Sequence, residues 1–305
     1  MTHIPVLLKE SIEILNPKEG EFFIDGTIGS GGHSAAILEK IGSNGKLLGI
    51  DWDEKAIKIL KAEKLKSLKN IILVNGNYAD LPEILENINK ANHSVSFKAD
   101  GLIVDLGFSS TQIESSRKGF SFLRNEPLDM RYDNEDLTAA EVVNSFSEKD
   151  LADLIFKYGE ERFSRQIAKK IVDERKKERI LTTFQLVEII KKAVPKNYER
   201  GRIHPATRVF QALRIYVNQE LENLETLLKN LEKILKPQGR AAIISFHSLE
   251  DRLVKNYFRQ MAKEGKAEIL TKKPITASDE EIKENPRSRS AKMRAIELKN
   301  LEFRI

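Results

Sequence analysis

Residues 25–38, DGTIGSGGHSAAIL, decide the fold: the apolar run EFF leads into them, four glycines follow within seven residues, and helical spacing begins. Glycines at a strand-to-helix corner let a backbone come close to a ligand. A P-loop needs GxxxxGK[ST], and no lysine follows Gly31 or Gly32. A dinucleotide loop needs GxGxxG, and counted from Gly29 the third glycine position is Ser34. What remains is D-x-T-x-G-x-G-G, carried by Asp25, Thr27, Gly29, Gly31 and Gly32.

An acid ahead of the glycines repels a pyrophosphate and suits a cation. S-adenosylmethionine, with an ammonium and a sulfonium, fits that charge, and the glycines permit approach to its amino acid end. Three further positions belong in the same crevice. Asp51 in GIDWD, 22 residues after Gly29, is placed to take ribose hydroxyls. Tyr78 in NGNY can cover an adenine face. Asp105 in IVDLG closes a fourth strand at the switch point. His33 is either a polar residue in the first helical turn or a ligand contact.

Outward from the loop, residues 21–107 alternate compact apolar runs (EFFIDGT, KLLGIDWD, IILVNGNY, DGLIVDLG) with segments of helical spacing. Alternation of this kind predicts a parallel sheet with helices on both faces. From about Glu114 to Arg202 it stops. SEKDLADLIFKYG and TTFQLVEIIKKAVP open on capping residues, Ser147 with Asp150 and Thr182 with Gln185, and Phe163, Ile167 and Ile171 recur at i+4 between them. A helical segment from Pro205 to Leu235 and the strand GRAAIISF then resume the first pattern. HSLEDRLVKNYFRQMA reads as helix, KMRAIELKN as strand and TASDEEIKENPRSRS as a long loop. The expected organisation is a core of residues 1–113 and 205–305, interrupted by a helical insertion at 114–204.

The net charge of +5 is concentrated: Lys157–Arg202 holds 14 Lys and Arg against 7 Asp and Glu, a net +7. Such a region is either a nucleic-acid footprint or a set of solvated helix faces. The chain has no cysteine, which removes disulfides, zinc thiolates and thiolate nucleophiles together. The five histidines show no metal spacing, so no metal is expected. The opening MTHIPVLLKESIEIL has no basic flank with a sustained apolar core, and no later run is long enough to span a membrane. A soluble, cytoplasmic protein is the expectation.

HIPVLLKE, DGTIGSGGHSAAIL, DGLIVDLGFSSTQIE, GFSFLRNEPLDMRYD, YGEER, HPATRVFQALRIYVNQEL, ISFHSLEDRLVK and NPRSRSAKMRA together resemble the bacterial ribosomal small-subunit methyltransferase H family over nearly the whole chain. The resemblance implies an α/β, Rossmann-like class I core dependent on S-adenosylmethionine, with an inserted all-helical domain for substrate recognition. It also implies methylation of the exocyclic amino nitrogen of a cytosine in 16S rRNA. Carried over by position, Gly31, Gly32 and His33 are expected at the cofactor's amino acid end, Asp51 at the ribose, Tyr78 near the adenine, and Asp105 and Gln112 as further contacts. Partners would be 16S rRNA and the small ribosomal subunit, and the protein a monomer or weak homodimer. Trp52, Glu54, Phe108, Lys118 and KPQGR depart from the family's usual residues without removing an expected ligand.

Without cysteine, the covalent route to carbon-5 of a pyrimidine is closed, whereas direct transfer to nitrogen needs only positioning and electrostatics. Asp105 or the Ser109/Ser110 loop is placed to hold one N–H of the amino group. His247, in SFHSLEDR, either takes the released proton or caps the helix that follows. A catalytically silent RNA-binding or assembly factor is the rival reading; intact Asp51, Asp105 and the glycine loop argue against it.

Overall fold

The computed structural model describes residues 4–64, 70–91, 98–107, 116–132, 137–195, 198 and 204–300. Two compact units are present, one of residues 1–107 and 221–305, the other of residues 108–220.

In the first unit α1 (Leu8–Leu15) precedes β1 (Phe22–Asp25), α2 (Gly32–Ile41), β2 (Lys46–Asp51), α3 (Glu54–Ile59), β3 (Ile71–Asn75), α4 (Leu81–Ala91) and β4 (Ala99–Asp105). The second unit supplies α5 (Ala139–Ser145), α6 (Glu148–Gly159), α7 (Ser164–Arg175), α8 (Thr183–Ala193) and α9 (Ala206–Val217). After it come α10 (Glu220–Lys229), α11 (Leu231–Ile234), β5 (Leu235–Ser245), α12 (Ser248–Lys263), β6 (Ala267–Ile269), α13 (Asp279–Glu284) and β7 (Lys292–Leu298).

The strands form one sheet in the order β3-β2-β1-β4-β5-β7-β6. The first five are mutually parallel, and β7 runs antiparallel to both its neighbours. Strand order reverses between β1 and β4, which puts the ligand crevice at their carboxyl ends. Alternate side chains feed two cores, as the period of a strand requires. Ile24, Leu48, Leu102 and Ile243 face one way, with Leu81, Leu224, Leu228 and Phe258 packed over them. Phe23, Leu47, Ile103 and Ile244 face the other, beneath Leu15, Ile37, Ile41 and Ile57.

Three details differ from the sequence reading. The stretch from Pro205 to Leu235 is three helices, broken at Gln219, which adopts φ 50°, and at Asn230. TASDEEIKENPRSRS is ordered: Ser278 caps α13, three acids fill its first turn, and a 3-10 turn spans Pro286–Ser290. This segment holds the amino-terminal arm, since Glu281 Oε1 accepts the Leu7 N–H at 2.8 Å and Asn285 Nδ2 donates to the Ile4 carbonyl at 3.2 Å. Finally, β5 starts at Leu235, and KPQG bulges from it where the ladder slips between Ala99 and Gly101 and Gln238 takes φ 66°.

The second unit extends beyond the expected 114–204 at both ends. Its carboxyl boundary moves because α9 belongs to it: Gln211 Nε2 donates to the Tyr158 carbonyl at 3.1 Å, and Gly159 lies so close that a β-carbon there would stand 2.6 Å from the Arg208 carbonyl oxygen. Asn218 then clamps the 130–132 segment, accepting from the Tyr132 N–H and donating to the Met130 carbonyl, both at 2.8 Å. Both expected caps form, Thr182 with Gln185 as a reciprocal capping box. Part of the basic excess is neutralised along the helices, by Lys170 and Lys177 on Glu174 and Lys191 on Glu188.

Candidate active site

The glycine loop is stitched to two strands, β4 and β2, and to itself by its own backbone. Gly26 N–H donates to Ile103 at 2.9 Å, Ile28 N–H to Ile50 at 2.8 Å and Gly31 N–H back to Ile28 at 2.7 Å. Gly29 and Gly31 take φ 50° and 82°, a region costly for any residue with a β-carbon. Gly32 opens α2 with Pro5 packed onto it, where a β-carbon would stand 2.3 Å from the proline ring. Gly31 caps α2 and Gly32 opens its first turn, whose amides have no intrahelical partner and form the positive end of its dipole.

Around this corner the structure gathers Asp25, Asp51 and Asp105. Asp25 is buried, accepting the Ser34 hydroxyl at 2.6 Å and the Thr27 N–H at 3.1 Å. Burial pushes its carboxyl above the ordinary range, opposed by His33, Ser34 and Thr27 and reinforced by Asp105. Asp51 Oδ2 accepts the Gly29 N–H at 2.7 Å and Oδ1 the Asp53 N–H at 2.8 Å. Its carboxyl is pushed up to about 6, chiefly by burial, with those two N–H groups pulling down and the Asp53 and Asp25 charges pushing up. Asp105 is fixed through its own N–H, donated to Thr27 Oγ1 at 2.7 Å, while its Oδ1 accepts the Gly107 N–H at 2.9 Å. Three carboxylates meet here, two of them raised, in a site that a cation such as S-adenosylmethionine would relieve.

Tyr78 begins a 3-10 turn capped by Asn77 and sits against Gly26, whose β-carbon would be 3.3 Å from that of Tyr78. The His33 imidazole is buried, with Nε2 donating to the Val6 carbonyl at 3.0 Å, so it is the first-turn N–H of His33, not its ring, that faces the corner's open helix end. His247 is the N-cap of α12. Its Nδ1 accepts the Glu250 N–H at 3.4 Å, and Nε2 lies 3.1 Å from Glu250 Oε1 without hydrogen-bond geometry. Buried Glu250 answers by accepting the Phe246 and His247 N–H groups. Gln112, with Phe108, Ser109 and Ser110, lies outside the described residues.

Sequence reasoning gave no role to Thr27, Ser34 or Glu250. For Thr27 the signal was its fixed place in D-x-T-x-G-x-G-G. The changed rim residues near the ribose are absorbed locally: the Trp52 carbonyl accepts Asn75 Nδ2 at 3.0 Å, and Glu54 pairs with Lys58 at 2.8 Å.

A sheet of this order with an antiparallel seventh strand, and an acid-lined glycine corner at its switch point, defines a Rossmann-like class I methyltransferase using S-adenosylmethionine. Residues 1–299 match the family model of the MraW methylase family, and the chain belongs to that family. It is 47% identical over 296 residues to the ribosomal RNA small subunit methyltransferase H of Coprothermobacter proteolyticus, covering 96% of this chain and 95% of that one. It is 46% identical over 308 residues to the protein of that name from Clostridium botulinum strain Kyoto, covering 96% and 97%. Among solved structures it is similar to Aeropyrum pernix fibrillarin with natively bound S-adenosyl-L-methionine, at 13% identity and a TM-score of 0.39, over 92% of this chain and 67% of that one. Among the described residues no helix is long and apolar enough to cross a membrane.

Proposed function

We propose that the enzyme transfers the methyl group of S-adenosylmethionine to the exocyclic amino nitrogen of a cytosine in 16S rRNA, on the small ribosomal subunit in the cytoplasm. The observation that carries this reading is the near full-length identity with relatives named for small-subunit rRNA methylation. The donor is held with the first-turn amides of α2 at its carboxylate, Asp51 at its ribose and Tyr78 beside its adenine. The bound cofactor supplies an activated methyl group. The chain's own work is positioning and electrostatics: a cytosine amino nitrogen is a poor nucleophile, and Asp105 accepts one of its N–H groups so that the lone pair turns toward the methyl. As the C–N bond forms, the methyl–sulfur bond breaks to leave a neutral thioether, and the amino nitrogen, now cationic and strongly acidic, loses its proton to water. With its Nδ1 engaged in the cap, His247 serves as a scaffold for Glu250 rather than as the base.

The second unit, extending the expected 114–204 insertion, holds the RNA flanking the target base, which must be unstacked to enter a pocket. A monomer or weak homodimer without metal suffices for this chemistry. The test is incubation with methyl-labelled S-adenosylmethionine and small subunits from cells lacking the gene, followed by digestion to nucleosides. Label is expected in amino-methylated cytidine; label elsewhere, or none in subunits or in rRNA, overturns the assignment.

A further inference from the structure

A second feature of the first unit lies away from the glycine corner. Between α12 and the β6–β7 edge is a cavity of about 310 Å³ with a floor of Phe258 and Ile269 and a rim of Lys255, Arg259, Lys272 and Arg294. Asp251, Lys255 and Arg259 recur at i, i+4 and i+8, so they share one face of α12. Arg294 is nine-tenths buried and locked by Asp251, with Nε to Oδ1 at 2.6 Å and Nη2 to Oδ2 at 3.2 Å. No carboxylate is among the described residues that line the cavity, and Asp251 beside it is engaged by Arg294. Lys255, Arg259 and Lys272 form no ion pair with any described residue. Lys272 is carried on a fixed segment, because the neighbouring Thr271 is buried and its Oγ1 accepts the Ala295 N–H at 2.9 Å.

Three unneutralised cations around a concave floor make an anion site, and the floor gives it a second character. Half-buried Ile269, backed by the buried Phe258, gives an apolar floor of the kind a ribose face covers, with phosphates reaching outward to the rim. The position also favours a polymer. The helix α12 is capped by His247, two residues after the end of β5, the neighbour of the strand that carries Asp105. By the helical rise, Lys255 and Arg259 lie about 12 and 18 Å along the axis from that end. A strand whose target base is in the crevice can run along this face.

We infer that this cavity binds the sugar–phosphate backbone of the RNA substrate, as a second grip on the catalytic unit separate from the basic helical unit. The inference rests on the rRNA reading above. It predicts that Lys255→Gln/Arg259→Gln/Lys272→Gln raises the apparent KM for unmethylated small subunits roughly tenfold at moderate salt. In binding to protein-free 16S rRNA, the slope of log K against log salt falls by about 2, roughly 0.7 per phosphate contact. The cofactor Kd and melting temperature report whether that variant is folded, and Lys255→Arg/Lys272→Arg, which keeps the charges, retains the parent slope.

An unchanged slope and KM in the neutralised variant overturns the inference. So does a loss of affinity for subunits with unaltered binding to protein-free rRNA, which identifies an acidic ribosomal protein as the occupant. Binding of a free mononucleotide at the cavity as tight as that of RNA also overturns it, in favour of a small-molecule site. If the parent enzyme fails to methylate rRNA, the function itself is wrong; if it methylates and the slope is unaffected, only the second grip is.

Discussion

The Gly29 N–H donates to Asp51 Oδ2 at 2.7 Å, so the cofactor loop after β1 and the acid ending β2 are one unit rather than two independent ligands. Replacing Asp51 therefore releases the loop and, on the function proposed above, also removes acceptors for the ribose hydroxyls. Each hydrogen bond to a charged group contributes about 1.5–3 kcal/mol, so Asp51→Ala is expected to weaken cofactor binding by two orders of magnitude or more. Isothermal titration with S-adenosylmethionine measures it; a change under about fivefold would remove Asp51 from the site.

The carboxyl of Asp51, pushed up to about 6 by burial, makes binding pH-dependent. The ionised form accepts hydroxyl protons and the neutral form accepts fewer, so affinity is full above about pH 7. Below about pH 6 it falls by roughly tenfold per unit, because the proton must leave before the ribose docks. In the ligand-free protein the sign is opposite. The native state binds more protons than the unfolded chain between 3.8 and about 6, so this group's contribution to stability decreases as pH rises through that window. Titrations from pH 5 to 8 on parent and Asp51→Asn are expected to show the dependence in the parent and a flattened profile in the variant.

The carboxylates at strand ends were legible in the sequence because each closes a compact apolar run, and a parallel sheet directs those ends to one crevice. What holds the acids was not. The Thr27 hydroxyl meets the Asp105 N–H across 78 residues, a relation set by strand order rather than by spacing. TASDEEIKENPRSRS read as a loop from its turn-rich composition, but Ser278 and the acids after it are helix-opening residues, and Ser288 is fully buried. The break at Gln219 left no sign, since a glutamine with φ 50° is dictated by tertiary packing and not by propensity.

Burial of the His33 imidazole against the Val6 carbonyl gives the ring a scaffold role, whatever its backbone N–H contacts. His33→Ala leaves a carbonyl of a residue only 5% exposed without its donor, at a cost of about 1–3 kcal/mol. The expected result is a lower melting temperature with a cofactor Kd changed less than about tenfold. An unaltered melting curve with a hundredfold weaker Kd would instead make His33 a direct contact.

In the second unit, YGEER contributes a fully buried carboxylate. Glu161 accepts the Tyr198 hydroxyl at 2.8 and 2.7 Å on its two oxygens and the Phe163 N–H at 2.8 Å, with the Arg208 guanidinium 3.8 Å away. The Arg162 guanidinium lies over the Phe163 and Tyr198 rings, at 5.0 and 4.9 Å. Removing one partner of such a network strands the others, so Glu161→Ala is expected to cost about 3–5 kcal/mol. Glu161→Gln keeps most acceptors and is expected to cost less. Hydrogen exchange over α6 and α7 reads the difference, and equal protection in both variants would mean the network contributes little.

His247 tests whether a conspicuous histidine just after β5 is chemistry or architecture. Its Nδ1 is occupied by the Glu250 N–H and Nε2 faces Glu250 Oε1, so no ring nitrogen is left to collect a proton in this arrangement. Asparagine is an equally good N-cap, whereas alanine forfeits the cap at about 1 kcal/mol. His247→Asn is therefore expected to retain kcat within about threefold and leave its pH profile in place, while His247→Ala lowers the melting temperature. A fall in kcat of a hundredfold or more in His247→Asn would return the base to His247 and require the cap to open during turnover.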